Sequence, residues 1–454
     1  MKILHAPFCF RPDPIGGTEV YVENLAAAQS LRGAEVVIAA PGPADRQYTV
    51  DGLEVHRFQI GDPLRLPEIY GEGDPVAAAA FLRVLQATRP DVVHLHAFTA
   101  GVSLLAARSV KQAGLPVVFT YHTPTVSCQR GTLLRWGKEL CDGRLDLGLC
   151  TACSLHGLGL ARGLARLAAR IPPAAGRAIA NADYSGGLWT ALQMTELVAL
   201  RHQAFRNLME AADSVVSLCS WSTDLLIENG VPREKIALCR HGLPISETLE
   251  PGGSDRRRDS KSPCRVVFLG RVTPVKGLEV LIQSIAADPA LPVTLDIYGV
   301  VQGPIDTAYR DRLQSNGDSR IRFCGPIPSR DIIRRLTHYD VLGVPSQWLE
   351  TGPLVVLEAF AAGIPVIGSD LGGIRELVRH EVDGLLVEPS SVSEWTAALS
   401  RLTRGPDLLE RLQNGVKPPR TMGAVAADML SLYEKLLSQP SARTCSIPAK
   451  IAVP

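Results

Sequence analysis

Short apolar runs of strand length alternate with helical stripes along this chain of 454 residues, and the alternation is set out twice. In the first pass, Lys2–Ala6 reads as a strand, Gly16-Gly17 as a turn, and Thr18 as a helix cap. Tyr21, Leu25, Ala28 and Leu31 then form a stripe ending at Gly33, and Glu35–Ala40 returns as a strand before Pro41-Gly42. Asp91–Leu95 and Pro116–Thr120 are further strands, with a helical pattern through Leu104, Leu105 and Val110 between them; Ser214–Leu218 and Ile236–Leu238 follow. The pattern restarts with the strand Arg265–Leu269, the loop Gly270–Lys276 and the helix Gly277–Ala286. It continues through Val293–Tyr298, Ile321–Phe323, Val341–Val344, Pro365–Ile367 and Leu385–Val387. Such alternation predicts an α/β chain of two parallel, doubly wound sheets, with ligands at the carboxyl ends of the strands. In the first half those ends carry Gly17, His96 and His122.

The length exceeds what one ordinary core organises, which agrees with two domains. A hydrophobic share of 46%, a charged share of 20% and 40 glycines describe a globular chain rather than a disordered one. A formal net charge of +1 provides no global field for nucleic acid. No apolar run reaches spanning length, and the apolar start is broken by Pro7 and ends at Arg11-Pro12-Asp13 without a small-residue cleavage site. The expectation is a cytoplasmic protein, with peripheral contact at the inner face of the membrane left open. The polar, charged stretch 250–263 reads as a linker, so the expected domains are 1–249, 264–420 and a final helix with its tail, 421–454.

Chemistry concentrates between Glu350 and Glu376, E-T-G-P-L-V-V-L-E-A-F-A-A-G-I-P-V-I-G-S-D-L-G-G-I-R-E. Two carboxylates flank a helix start at which Thr351 and Gly352 are caps and Pro353 is the first helical residue. The free N–H groups of a helix N-terminus attract a diphosphate, and Glu350 and Glu358 accept hydrogen bonds from sugar hydroxyls. Glu-x7-Glu followed by A-x-x-x-G-x-P-V-I and a G-G-I-x-E turn resembles the retaining GT-B glycosyltransferases of family 4. That resemblance covers most of the chain and is weakest between about residues 125 and 210. It implies two facing Rossmann-like domains with the active site in their cleft, and a last helix, here Ala424–Leu437, crossing back onto the N-terminal domain.

The resemblance also assigns residues. Arg271 and Lys276, in F-L-G-R-V-T-P-V-K-G just past a strand, match the pair that holds the diphosphate. Glu358 would bind the ribose and Glu350 the transferred sugar. The amides of Thr351, Gly352 and Leu354 would line the phosphates, while Pro353 has no N–H to give. Pro326 and Ile327 fall where the base pocket lies. Gly16-Gly17 would let the backbone approach the donor or acceptor, and His122, in T-Y-H-T-P, matches a histidine that contacts the donor sugar. His96 and His241 read as structural. No Asp-x-Asp occurs, so Arg271 and Lys276 are expected to serve where other transferases use a divalent cation, and no cofactor is required for the chemistry. The donor would be a UDP- or GDP-type sugar and the acceptor a glycan, a lipid-linked glycan or a small molecule. Two alternatives are a nucleotide-sugar 2-epimerase of the same fold and a non-catalytic nucleotide-sugar-binding partner of a glycan-synthesis complex.

Two features stand apart from this picture. Cys128, Cys141, Cys150 and Cys153 fall within a short insertion at about 125–155, spaced as for a structural zinc; free thiols, a redox pair and an iron–sulfur cluster are the other readings. Between Leu155 and Ile171, Arg162, Arg166 and Arg170 recur beside a stripe of Leu160, Leu164, Leu167 and Ile171. The spacing predicts a basic amphipathic helix able to lie on an anionic membrane.

Overall fold

A computed structural model describes residues 1–13, 16–181, 186–244, 262–315 and 317–439. They divide into two compact units, Met1–Arg240 with Gly423–Pro454, and His241–Met422. Most of the expected linker, 250–263, lies outside the described residues, as does the tail beyond 439.

In the first unit the strands are β1 (Lys2–Ala6), β2 (Glu35–Gly42), β3 (Arg46–Val50), β4 (Leu53–Gln59), β5 (Val92–Leu95) and β6 (Val117–Tyr121). A small hairpin, β7 (Leu134–Arg135) and β8 (Glu139–Leu140), precedes β9 (Ser214–Ser217) and β10 (Ile236–Leu238). The main sheet has eight strands in the order β10-β9-β6-β5-β1-β2-β4-β3. Its pairs are parallel except β3 with β4, where a tight connection at Asp51-Gly52 turns the chain back. β1, β5 and β6 are almost wholly buried, as a parallel sheet covered on both faces requires. The helix Gly17–Ser30 covers this sheet with Tyr21, Val22, Leu25, Ala26 and Gln29. The sequence stripe placed Ala28 and Leu31 inward instead, yet Leu31 is 90% exposed and a buried glutamine takes the inner position. The final helix, Met422–Leu437, places Tyr433 at 0% exposure, hydrogen-bonded to His94 of β5. Packing within the first unit therefore fixes it there.

The second unit holds β11 (Cys264–Leu269), β12 (Val293–Tyr298), β13 (Ile321–Phe323), β14 (Val341–Val344), β15 (Val366–Ser369) and β16 (Gly384–Val387). They form a parallel sheet ordered β13-β12-β11-β14-β15-β16. Successive residues feed opposite cores. Val266 and Phe268 join one cluster around Trp395 and Leu399, and Val267 joins the other around Val356 and Phe360. That period of two, with both sides apolar, is why the β11 sequence reads as continuous hydrophobicity. β11 lies in the middle of the sheet, and the chain crosses from β12 on one side to β14 on the other. The loops after β11 and β14 thus open at the reversal of strand order, where α/β sheets bind ligands.

Candidate active site

The second unit brings the predicted phosphate and sugar residues together. After β11 the chain makes a short 3-10 turn, Pro274–Lys276, before the helix Leu278–Ala286. Gly277 sits at φ +68°, and a Cβ there would fall 1.8 Å from the carbonyl oxygen of Pro345. Only glycine permits that approach, which carries Lys276 up to the segment after β14. There the Lys276 ammonium donates to Glu350 Oε1 at 2.6 Å, the Ser346 hydroxyl donates at 2.8 Å and the Trp348 indole N–H at 2.9 Å. The same ammonium lies 5.8 Å from the Trp348 ring centroid. Burial alone would raise the Glu350 carboxyl, but Lys276, Ser346 and Trp348 outweigh it and hold the group below its ordinary value.

The backbone of Glu350 is held as firmly. Its carbonyl accepts from the Gly373 N–H at 2.7 Å, and a Cβ on Gly373 would meet that oxygen at 2.7 Å and the Gly352 nitrogen at 2.9 Å. The G-G-I turn is therefore the packing partner of the glutamate loop. Gly352, at φ +152°, lies against His241, whose ring occupies the space a side chain at 352 would need. His241 is half-buried, and desolvation lowers it to about 4. It belongs to this loop's support, as the structural reading had it. The helix runs Leu354–Ala361 with Pro353 preceding it in an extended conformation, so Thr351 and Gly352 belong to the loop and do not cap. Pro353, extended at ψ 118°, is itself the residue before the first turn, one position later than the sequence reading put the helix start.

Glu358 differs in kind from Glu350. It is half-buried on the first turns of that helix, and among the described residues no side chain hydrogen-bonds or ion-pairs with its carboxylate. Burial pushes it up to about 7. Arg271 is exposed and makes no ion pair among the described residues. Pro326 and Ile327 line a cavity of about 550 Å³ together with Tyr298, Cys324, Arg334 and Arg335. The cavity floor is braced by Tyr298, whose hydroxyl meets that of Tyr339, which in turn donates to Asp296.

In the first unit, a Cβ on Gly17 would meet nothing within 4 Å, so this backbone borders open space. Gly16 donates its N–H to Glu19 Oε2 at 2.9 Å, making Glu19 rather than Thr18 the residue that closes the helix start. His122 follows β6 and is buried at 6% exposure. Its Nε2 meets His96 Nδ1 at 3.0 Å, and its ring stands edge-on to Tyr21 at 5.1 Å. His96 is hydrogen-bonded to His5, and His5 to Gln29. The sequence reading left His96 as structural and did not single out His5 or Gln29. The alternation of His94 and His96 around a strand end was the available signal.

The four insertion cysteines are free. Among the described residues the sole group of three or more potential ligands with their atoms mutually within 4.8 Å is His5, His94 and His96. A zinc–thiolate tetrahedron needs its sulfurs about 3.8 Å apart. The cysteines as placed do not fit the expected site: the hairpin and the following helix turn Cys153 to the Trp136 N–H and the Leu134 carbonyl instead. Burial pushes the Cys150 thiol up to about 12. The amphipathic stretch is also not one helix. Leu147–Gly157 ends in a turn, and a separate helix, Arg162–Ala168, follows. Leu155 and Ala165 are buried around Trp136, whereas Leu158, Leu164 and Leu167 are 58%, 62% and 61% exposed.

Two expectations follow for the protein without ligand. Glu358 binds its proton more tightly folded than unfolded, so stability falls as pH rises from 4.5 to about 7, and the ionised form above that window carries the full penalty. Glu358→Gln should therefore raise the melting temperature at pH 8, by about 1–3 kcal/mol of stability, and change it little at pH 5. Glu350 has the opposite sign: its contribution is present above 4.5 and lost as pH falls through its lowered folded value. Lys276→Met leaves that carboxylate buried without its cation and should cost about 1–3 kcal/mol. Adding Glu350→Gln should recover part of the loss, as a double-mutant cycle in denaturant would measure.

Comparison with known proteins agrees with this geometry. Residues 16–242 match the family model described as glycosyl transferase 4-like domain, and residues 255–417 that described as glycosyl transferases group 1. A D-inositol 3-phosphate glycosyltransferase of Corynebacterium glutamicum is 33% identical over 233 residues, 47% of this chain and 55% of the relative. The chain thus spans about half the length of the first curated relatives it matches. One of the same description from Actinosynnema mirum is 27% identical over 420 residues, 87% of this chain and 86% of the relative. Among solved structures, Anabaena HepE in complex with UDP aligns with a TM-score of 0.64 at 16% identity, covering 96% of this chain and 100% of that one. Sucrose-phosphate synthase of Thermosynechococcus elongatus aligns at 0.63 and 19%, covering 96% and 100%. With both halves matched and each half built on its own parallel sheet, the chain belongs to the group 1, family 4-like glycosyltransferases and has the GT-B fold.

Proposed function

We propose that this protein moves a sugar from a nucleotide-diphosphate sugar onto an acceptor hydroxyl with retention of the anomeric configuration. The observation that carries the reading is the pairing of Lys276 with a buried Glu350, beside a helix whose own carboxylate, Glu358, is raised to about 7. A half-buried cation and a carboxylate without a side-chain partner among the described residues support a phosphate site and a hydroxyl acceptor in the same unit. Glu358 takes the ribose hydroxyls, which favours its ionised form. Arg271 and Lys276 hold the diphosphate and neutralise the charge that grows on it as the glycosidic bond breaks. An oxygen of the departing diphosphate accepts the proton of the attacking hydroxyl on the same face. Glu350 orients the transferred sugar. Because Lys276 is already bound to Glu350, an arriving diphosphate shares that ammonium rather than finding it free.

The base sits in the cavity lined by Pro326 and Ile327. The UDP complex of HepE makes UDP-sugars the first donors to try, and the naming of the relatives makes an inositol phosphate the first acceptor, ahead of glycans and lipid-linked glycans. Nucleoside diphosphate released only when donor and acceptor are both present supports transfer; binding without release overturns it. Lys276→Ala should lower turnover by about 10²-fold or more, beyond its effect on donor binding. Glu358→Ala should chiefly weaken the donor and free nucleoside diphosphate alike, and the donor should bind more tightly as pH rises through 7 in the parent protein only. If both variants kept parental activity, this assignment of the pocket would fail.

We also propose that Leu158, Leu164 and Leu167 dip into an anionic membrane surface, with Arg162, Arg166 and Arg170 on its headgroups. Their exposure beside exposed arginines supports this. Cosedimentation with vesicles containing anionic lipid should fall with salt, and fall again when the three arginines become glutamate. Unchanged binding of that variant excludes the contact.

A further inference from the structure

Alternate residues of β4, Leu53, Val55 and Arg57, fall on one face of the sheet, and all three are buried. The third position calls for another apolar side chain and holds an arginine instead. Gly42, at the end of β2, makes the room: a Cβ there would lie 3.1 Å from Arg57 Nε. The guanidinium donates from Nε to the Pro41 carbonyl at 3.1 Å, from Nη1 to the Phe10 carbonyl at 3.2 Å, and from Nη2 to Asp13 Oδ2 at 2.6 Å. Burial would lower the Arg57 pKa, but Asp13 and Tyr48 outweigh it and hold the group above its ordinary value.

Phe10 and Asp13 belong to the loop that follows β1, and further ties end on the same loop. The Tyr48 hydroxyl of β3 donates to the Arg11 carbonyl, and the Arg11 guanidinium pairs with Glu23 of the helix Gly17–Ser30 at 3.0 Å. The Asp13 N–H closes a turn on the Phe10 carbonyl at 3.1 Å, and the Phe10 side chain is buried. Residues 10–13 are thus held by the edge hairpin β3–β4 on one side and by the helix on the other. Phe8 lies between this tie and the buried end of β1, yet it is 55% exposed. Among the described residues it is the one exposed phenylalanine, tyrosine or tryptophan.

A buried ion pair adds little net stability over an apolar side chain of similar size. What the arginine adds at this position, and a leucine would not, is a fixed path for the loop. That path runs at the carboxyl end of β1, where the strand order reverses, with β2 on one side and β5 on the other. We propose that Arg57 is a positioning residue that fixes the loop after β1, and that Phe8 on this loop is the face on which the ring of the acceptor stacks. Arg271, Lys276, Glu358 and the base cavity belong to the second unit, which leaves the strand-order reversal of the first to the acceptor; this part rests on the function proposed above. An aromatic face suits the C–H side of a sugar or polyol ring and offers nothing to a phosphate. A lone exposed ring carries no such meaning, but this one stands on a loop held at four points.

Hydrogen–deuterium exchange of the full-length protein without ligand, read by mass spectrometry, tests the clamp. In Arg57→Met the amides of residues 8–13 should exchange about tenfold faster, while β1, β5 and β6 keep parental rates. Arg57→Lys keeps the charge without the fork and should fall between the two. Tyr48→Phe, a milder change should Arg57→Met not fold, should quicken the same amides. Unchanged exchange at 8–13, or equal acceleration throughout the first unit, overturns the clamp. Steady-state transfer tests Phe8, with D-inositol 3-phosphate as the first acceptor and glucose in its place if that one is not used. Phe8→Ala should raise the acceptor KM about tenfold and change the donor KM less than about twofold, Phe8→Tyr should keep the parental values, and Arg57→Met should show the same split as Phe8→Ala. A parental acceptor KM in Phe8→Ala, or equal losses for donor and acceptor, overturns the stacking role. Absence of transfer to either acceptor removes that role together with the function proposed above, while the exchange rates alone decide the clamp.

Discussion

Parallel strands buried on both faces can collect polar side chains only at their ends, and this constraint organises both halves of the chain. In the first unit the strand ends carry His5, His94, His96 and His122; in the second they lead into the loops of Lys276 and Glu350. Everything between is apolar and alternates between two cores. Groups able to do chemistry are thereby concentrated on one edge of each sheet, in surroundings dry enough to shift their protonation.

How that dryness acts depends on what each group finds as a partner. Glu350 finds three donors and stays ionised, while Glu358 finds none among the described side chains and is raised to about 7. Two carboxylates eight residues apart in the chain therefore have opposite electrostatic characters. One is a fixed charge that holds a lysine in place; the other is an acceptor that desolvation makes costly to ionise. Burying a carboxylate without a partner is destabilising, and it is tolerated where binding supplies the missing donors. The histidines of the first unit show the remaining case: neutral rings that satisfy one another in a line.

Much of this was legible in the residues. All six strands of the second sheet, six of the eight in the first, the Arg271–Lys276 loop, the Glu350–Glu358 helix and the final helix were readable from apolar periodicity and turn residues, whereas β3 and β4 were not picked out. The stretch between about 125 and 210, where the resemblance is weakest, was not. Its short hairpin and helices bury a small core around Trp136, and apolar stripes there did not distinguish Leu155, which is buried, from Leu164, which is exposed. The cysteine spacing was readable as a zinc site, but spacing along a chain does not say which way a sulfur points, and Cys153 points to its own hairpin. Thr351 and Gly352 looked like caps because their types are common there. In the structure Gly352 packs on His241 in the loop, and the helix begins at Leu354 after an extended Pro353.

By itself the sequence determined the class of fold, the two-sheet division and the positions of the Arg271–Lys276 loop and the Glu358 helix, because hydrophobic period and glycine placement are local properties of the chain. The partner of each polar group was decided only in three dimensions. Lys276 and Glu350 stand 74 residues apart, His5 and His96 stand 91 apart, and His94 and Tyr433 stand 339 apart. Which carboxylate is ionised and which nitrogen carries a proton depends on desolvation and on the nearest donor, and both are set by packing between distant segments rather than by any neighbour in the chain.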